Sequence, residues 1–262
     1  MLQSNKLNLV GELHSESDSR RDAEKRFCLA TINDPGYWVE HEFPDAYEGN
    51  LSNLPGVPEA DLMEYRSTHG VALAIKEFDK LGDQAVGVSA TRAGDAPAAL
   101  GEFHTKVVDL LRYTLRVKNS WRPSRTTEVN LAVKAVYDHV VAATQAYRDA
   151  HQNASVQDQL TALRDFANSR IILRDMVPTL AKAVGATLTD DRDATELANY
   201  MRRQRSAFMA VGAVSSGLVG VWKVGDGHIA DLKNGTAKVD VRRINVVTRQ
   251  EFNTEFQGWQ GN

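Results

Sequence analysis

Residues 7–14 read LNLVGELH, and this stretch decides how the rest of the chain is interpreted. The apolar run at residues 7–10 is typical of a short buried β-strand. A polar helix entry and a helical segment over residues 15–30 follow, then a turn at residues 33–36 and a second apolar run at residues 37–39. Strand, helix and strand at this spacing predict a βαβ unit with parallel strands.

The remainder of the chain predicts an α/β fold with a central sheet built from both termini. We expect strands over residues 85–90, 218–222 and 244–247, and a mostly helical stretch over residues 96–208. The apolar residues 207–224 are interpreted as a helix end followed by a buried strand rather than as a membrane span. The prediction is one domain over residues 1–262: a mixed or parallel sheet flanked by helices, with a large helical insertion at about 96–208.

Composition excludes several classes of protein. The 262 residues carry 31 Lys and Arg against 34 Asp and Glu, a net charge of −3 that argues against a strongly basic nucleic-acid-binding protein. The single cysteine, Cys28, excludes an intrachain disulfide framework and a thiolate zinc cluster, and we expect it to be a small buried side chain. The N-terminus has no apolar signal-peptide core, so we expect a cytoplasmic protein in the cell that makes it.

Two Gly-x-x-His elements follow predicted strands. Gly11 to His14 comes directly after the first strand, and Gly225 to His228 follows the strand near residue 222. The carboxyl ends of parallel strands share one edge, where open α/β sheets bind ligands, so both elements could contribute to one site. The same string at residues 101–104 lies in a helical context and is set aside. Each element also fits an ordinary polar strand end.

Acidic and basic residues near these elements complete the candidate site. Glu40 and Glu42 end the second predicted strand, and Glu40 is expected beside the end of the first strand. Arg202 and Arg205 lie on a helix just before the second Gly-x-x-His element, where they could stabilise a negative intermediate. A solvated acidic strand end and a solvated basic helix face are the alternatives.

Taken together, these motifs resemble the superfamily that contains erythromycin esterases, ChaN-like haem-binding proteins and TraB/Tiki putative metallopeptidases. The resemblance covers residues 7–50 and 200–250: the two Gly-x-x-His motifs, the strand-end Glu40, the esterase-like run at residues 43–46, and the TraB/Tiki-like Arg-x-x-x-Met-Ala pattern at residues 205–210. Residue 206 is Ser, where this family often has Asn or Asp, which indicates a divergent member.

The resemblance implies a metal-dependent hydrolase of a peptide or of a small ester or amide. His14, His228, Glu12 and Glu40 would hold a divalent ion (Mn, Co, Fe or Zn), which would activate water. Glu12, Glu40 and Arg205 would act in catalysis, and Glu42, Asp226 and Arg202 would support them.

Three alternatives stay open. A metal-independent esterase would use a histidine, oriented by Glu12 or Glu40, as general base. A haem- or metal-binding protein without turnover would resemble the ChaN branch. The hydrolase could also be an effector or toxin, delivered to a target cell by a route that needs no cleavable signal.

Overall fold

The structure is a computed structural model that describes residues 1–13, 16–32, 38–41, 59–90, 95–120, 126–153, 155–235 and 239–260. Its helices and strands, in chain order, are β1 (Leu7–Glu12), α1 (Asp18–Ile32), β2 (Trp38–His41), α2 (Glu59–Ser89), α3 (Ala96–Ser120), α4 (Thr127–Asn153), α5 (Val156–Ala183), α6 (Ala194–Ser216), β3 (Gly220–Gly225), α7 (Asp226–Lys233), β4 (Ile244–Val247) and α8 (Arg249–Gln260).

The four described strands form one parallel sheet in the order β2-β3-β1-β4. The predicted strands at residues 7–10, 37–39, 218–222 and 244–247 are therefore confirmed, with small shifts of their ends. The expectation that Glu40 lies beside the end of β1 is wrong, because β3 is inserted between β1 and β2. Consecutive strands are often neighbours in a sheet, but β1 and β2 are not.

Alternating side chains of the sheet pack against helices on both faces. Leu9 and Trp222 lie on the face that is covered by α6 and α7, with Met209 and Ile229 in the same core. Val10 and Val221 point to the other face, which α1 and α8 cover with the buried residues Phe27, Cys28, Ile32, Phe252 and Phe256. The predicted α/β class, a parallel sheet flanked by helices, is confirmed, and Cys28 is buried as expected.

By its contacts the chain divides into two compact units. Residues 1–62 and 202–262 form the sheet unit, and residues 63–201 form the helical unit. The helical unit has its own core, in which Phe78 stacks on Phe166 and Phe103 meets Tyr147 edge-on. The sequence placed the insertion at about 96–208, with a strand before it at residues 85–90.

That predicted strand is wrong, because residues 85–89 continue helix α2. Ala85 is buried and Val86 is 52% exposed, as on two sides of a helix. A short apolar run does not distinguish a strand from a helix. Among the helices described, none combines the length and the apolar character that a bilayer-spanning segment requires.

A buried ion pair joins the sheet to α1. Lys223 on β3 donates to Oε2 of Glu24 at 2.5 Å, and both side chains are at most 2% exposed. Arg20 donates to the other oxygen of Glu24 at 2.9 Å, and the Lys223 ammonium lies 4.2 Å from the centre of the Phe252 ring. Charges removed from water this completely are stable only when they are paired.

We expect Glu24→Ala to lower the free energy of unfolding by about 3–5 kcal/mol, because it leaves the Lys223 ammonium buried without its carboxylate. The double variant Glu24→Leu with Lys223→Met should lose much less. Urea denaturation followed by circular dichroism measures both.

The matched control for this prediction is Lys233→Ala. It breaks an ion pair with Glu251 whose side chains are 36% and 48% exposed, so the expected loss is below about 1 kcal/mol. A double variant as unstable as Glu24→Ala would contradict the role of pairing.

Candidate functional site

The connections of the sheet create a crevice between β1 and β3. From β1 the chain passes through α1 on one face and reaches β2, beyond β3. From β3 it passes through α7 on the other face and reaches β4, beyond β1. Neighbouring strands whose connections leave in opposite directions form a topological switch point, and open parallel sheets bind ligands outside the carboxyl ends of such strands.

Gly11 permits a close approach of two chain segments at this crevice. A Cβ on residue 11 would lie 2.5 Å from Oδ1 of Asp226 and 3.0 Å from the backbone nitrogen of Arg249. Asp226 opens α7 directly after β3, and Arg249 opens α8 with one residue between it and the end of β4. The glycine of the first Gly-x-x-His element is therefore required so that the ends of β3 and β4 can close over the end of β1.

Two carboxylates lie at this edge in different environments. Glu12, the last residue of β1, is 1% exposed and follows the alternation of Val10, which faces α1 and α8. Asp226 is exposed and lines a shallow cleft of about 380 Å³ together with Arg249 and α8. The sequence predicted only a supporting role for Asp226. Its exposed carboxylate is instead accessible to a ligand in the cleft.

His228 belongs to a buried polar network between α6 and α7. Its Nδ1 lies 2.8 Å from Oγ of Ser206, and the same Oγ lies 2.8 Å from Oδ2 of Asp231 and 2.9 Å from the carbonyl oxygen of Arg202. Arg202 donates to both oxygens of Asp231, at 3.0 and 3.1 Å. Ser206, His228 and Asp231 are each at most 5% exposed.

This network selects the tautomer of His228. The Ser206 hydroxyl has a single hydrogen, and a carboxylate and a carbonyl can only accept it. The carboxylate of Asp231 is the strongest acceptor next to this hydroxyl, so Oγ donates to Asp231 and Nδ1–H of His228 donates to Oγ. In the neutral ring, Nε2 consequently carries the basic lone pair.

The two arginines of α6 have different surroundings. Arg202 crosses the first turn of α7, where a Cβ on residue 227 would lie 3.2 Å from its Cδ, so Gly227 makes room for it. Arg205 is 7% exposed. A solvated basic face therefore does not describe Arg205, and a guanidinium at this depth has to be compensated by its surroundings.

The start of α8 is fixed by a cap and by an ion pair. Thr248 Oγ1 accepts from the backbone N–H of Glu251 at 3.1 Å, while Glu251 accepts from the backbone N–H of Thr248 at 2.6 Å, which is a capping box. Hydrogen bonds from Lys233, and then from Thr248, lower the pKa of Glu251 to about 2. The cap therefore holds at neutral pH, and its contribution is lost only as the pH falls from about 4.5 through about 2.

The other predicted site residues are placed as follows. His14 and Glu42 lie outside the described residues, and Glu40 is described only by its backbone in β2. Glu40 is in register with Trp222 and Leu9, about 10 Å along the strands before the level of Glu12. Within the described ranges, no group of three His, Cys, Asp or Glu side chains is placed to hold a metal ion.

Sequence reasoning missed four residues of this region. Ser206 and Asp231 follow Arg202 and His228 at helical spacings of four and three residues, so a search of each helix face for polar partners would have found them. Arg249 follows the last predicted strand. Open α/β sheets bind ligands at the carboxyl ends of their strands, and this rule, which predicted Glu12, applies equally to Arg249. Glu16 carried no such signal.

Comparison of the chain with protein-family models, with curated proteins and with solved structures finds no match. The geometry described above is therefore the basis for the function.

We expect Gly11→Ala to destabilise the sheet unit by about 1–3 kcal/mol, because the added methyl group must displace both the Asp226 carboxylate and the start of α8. Denaturation measures the loss, and backbone amide shifts of residues 226 and 249 report the displacement.

Gly258→Ala, in α8, is the control for this prediction. Its added Cβ would meet no atom within 4 Å, so helix propensity predicts a gain of up to about 1 kcal/mol. Equal effects of the two substitutions would show that close packing at residue 11 is unimportant.

Proposed function

We propose that the sheet unit is a hydrolase of ester or amide bonds in which His228 is the general base. The observation that carries the proposal is the hydrogen-bonded chain from Nδ1 of His228 through Ser206 to Asp231. An imidazole held by a carboxylate-backed donor, with Nε2 basic, has the tautomer and the electrostatic support that proton abstraction from water requires.

In this mechanism Nε2 of His228 takes a proton from water as the water oxygen attacks a substrate carbonyl. The C–O or C–N bond of the resulting tetrahedral intermediate then breaks, and the His228 imidazolium returns the proton to the departing alcohol or amine. The positive charge that develops on the ring is stabilised through Ser206 by Asp231. Arg202, which forms two hydrogen bonds with Asp231, keeps that carboxylate in place. Ser206 and Asp231 are thus positioning residues, and Arg205 is assigned to the negative charge on the carbonyl oxygen.

The resemblance to the erythromycin esterase, ChaN and TraB/Tiki superfamily supports the same reaction class. The two Gly-x-x-His elements of this chain, which begin at Gly11 and Gly225, lie at the carboxyl ends of the neighbouring parallel strands β1 and β3. The proposed substrates are peptides and small esters or amides.

A metal-dependent form of this hydrolase would use His14, His228, Glu12 and Glu40 as ligands. A bound divalent ion would supply a water of lowered pKa. Only Glu12 and His228 of these four have described side chains. By strand alternation Glu12 faces α1 and α8, whereas His228 lies on α7, which covers the other face of the sheet. The described residues therefore do not complete a ligand set, and the mechanism above uses none.

The test is hydrolysis of a panel of p-nitrophenyl esters, aminoacyl p-nitroanilides and fluorogenic peptides. We expect His228→Gln to reduce kcat by at least about 100-fold, because general-base catalysis contributes about 10²–10⁴-fold. Ser206→Ala and Asp231→Asn should lower kcat and shift the pH–rate profile while leaving KM nearly unchanged.

His139→Gln, in the helical unit, is the matched control and should retain full activity. Prolonged chelation followed by addition of Mn, Co, Fe or Zn separates the two forms: activity that is lost and restored supports the metal-dependent form. A wild-type protein inactive on all three substrate classes, or a fully active His228→Gln, would contradict the proposal.

The proposal extends to where the hydrolase acts. We propose a cytoplasmic enzyme in the producing cell, with delivery to a target cell as the further possibility raised by the sequence. Expression of the wild type in a foreign bacterial cytosol should then reduce viability, and expression of His228→Gln should not. Equal growth with both proteins would count against an effector role.

A further inference from the structure

The shallow cleft beside β3 and β4 carries two opposite charges at its wall. The two charged residues of its wall are Asp226 and Arg249. The rest of the lining consists of four polar side chains of α8: Gln250, Asn253, Thr254 and Gln257. Those four residues follow the spacing i, i+3, i+4 and i+7, which places them on one face of the helix. The cleft therefore offers a cation, an anion and a row of neutral hydrogen-bonding groups.

Within the described part of the chain, one carboxylate holds the Arg249 side chain and occupies one of its donors. Its Nε donates to Oε1 of Glu16 at 3.2 Å, and the Glu16 side chain is only 5% exposed. Across the described ranges, Glu16 is the sole hydrogen-bond and ion-pair partner of the Arg249 side chain. A guanidinium has five N–H donors, so the fork formed by its two terminal nitrogens is left for a carboxylate.

Asp226 faces the same cleft without pairing with Arg249. Its Oδ1 and the Cβ of Arg249 lie 2.5 Å and 3.4 Å from one point, the Cβ position of residue 11, so the two residues are neighbours. The Asp226 carboxylate makes no ion pair with a described residue. Two adjacent opposite charges that do not bond to each other are complementary to a ligand that carries both charges.

We propose that this cleft binds a small zwitterion of the amino-acid or short-peptide class. The carboxylate of the ligand bonds to the terminal nitrogens of Arg249, its ammonium group lies at Asp226, and its amide groups bond to the polar face of α8. A phosphate dianion fits less well, since its second negative charge would face Asp226 with no second cation lining the cleft.

The proposal names a ligand class for the cleft at the carboxyl edge of the sheet. Only the expectation that such a ligand is also hydrolysed rests on the proposed function. Binding and hydrolysis are therefore measured separately. The probes are four dipeptide forms: Gly-Gly, N-acetyl-Gly-Gly, Gly-Gly-amide and N-acetyl-Gly-Gly-amide. They carry both charges, the carboxylate alone, the ammonium alone, and neither. Inorganic phosphate is a fifth probe.

Each probe is titrated into the full chain and followed by backbone and arginine Nε NMR shifts. We expect Gly-Gly to bind more tightly than either singly charged form, and the uncharged form and phosphate to bind most weakly. Arg249→Gln should weaken binding of the two carboxylate-bearing probes at least about tenfold and leave Gly-Gly-amide unchanged. Asp226→Asn should do the reverse, weakening only the ammonium-bearing probes.

Arg242→Gln, an exposed arginine of the same unit, is the control and should change nothing. Glu16→Gln should reproduce part of the Arg249→Gln effect, because it releases the guanidinium. Equal binding of all four dipeptide forms, tighter binding of phosphate, or full binding by Arg249→Gln would overturn the proposal. Selective binding that persists in His228→Gln supports it even if the chain hydrolyses nothing.

Discussion

The sheet unit depends on β1, because this strand is hydrogen-bonded on both sides and covered on both faces. It pairs with β3 and with β4, and all of its residues are buried. Asn8 fixes its position: the side chain is completely buried, donates to the carbonyl oxygen of Gly220 at 2.8 Å, and accepts from Asn245 on β4 at 2.8 Å. A buried amide is tolerated only where such partners exist, so Asn8 penalises any other register of the three strands.

The crevice follows from this arrangement. With β1 at the centre, the connections through α1 and α7 leave in opposite directions and over opposite faces. The crevice lies between these two connections, and Gly11 lets the first residues of α7 and α8 pack closely against the buried end of β1. His228 on α7 and Arg249 on α8 are each held by a carboxylate whose side chain is buried, Asp231 through Ser206 in one case and Glu16 in the other.

The sequence supported prediction of the elements better than of their arrangement. Strands such as residues 244–247 are short apolar runs bounded by polar residues, and that signal is local. The insertion of β3 between β1 and β2 is not local, since it depends on which strands from distant parts of the chain pair. Likewise, His228 was predicted from its place after a strand, and helical spacing marks Ser206 as a neighbour of Arg202, but the contact of Ser206 with His228 depends on the packing of α6 on α7. The strand predicted over residues 85–90 is wrong because a short apolar run also occurs in helices. Its packing in the structure is that of a helix.

The strand order β2-β3-β1-β4 alternates strands from the two ends of the chain, so no strand has a neighbour from its own end. A growing polypeptide therefore carries β1 and β2 without any sheet partner until β3 has been synthesised. At ribosomal rates this interval is on the order of 10–40 s. The helical unit, whose residues 63–201 are complete by then, has time to fold first. The crevice consequently forms only after β3 and β4 have been synthesised, and a ribosome that stops before β3 leaves β1 and β2 without their sheet partner.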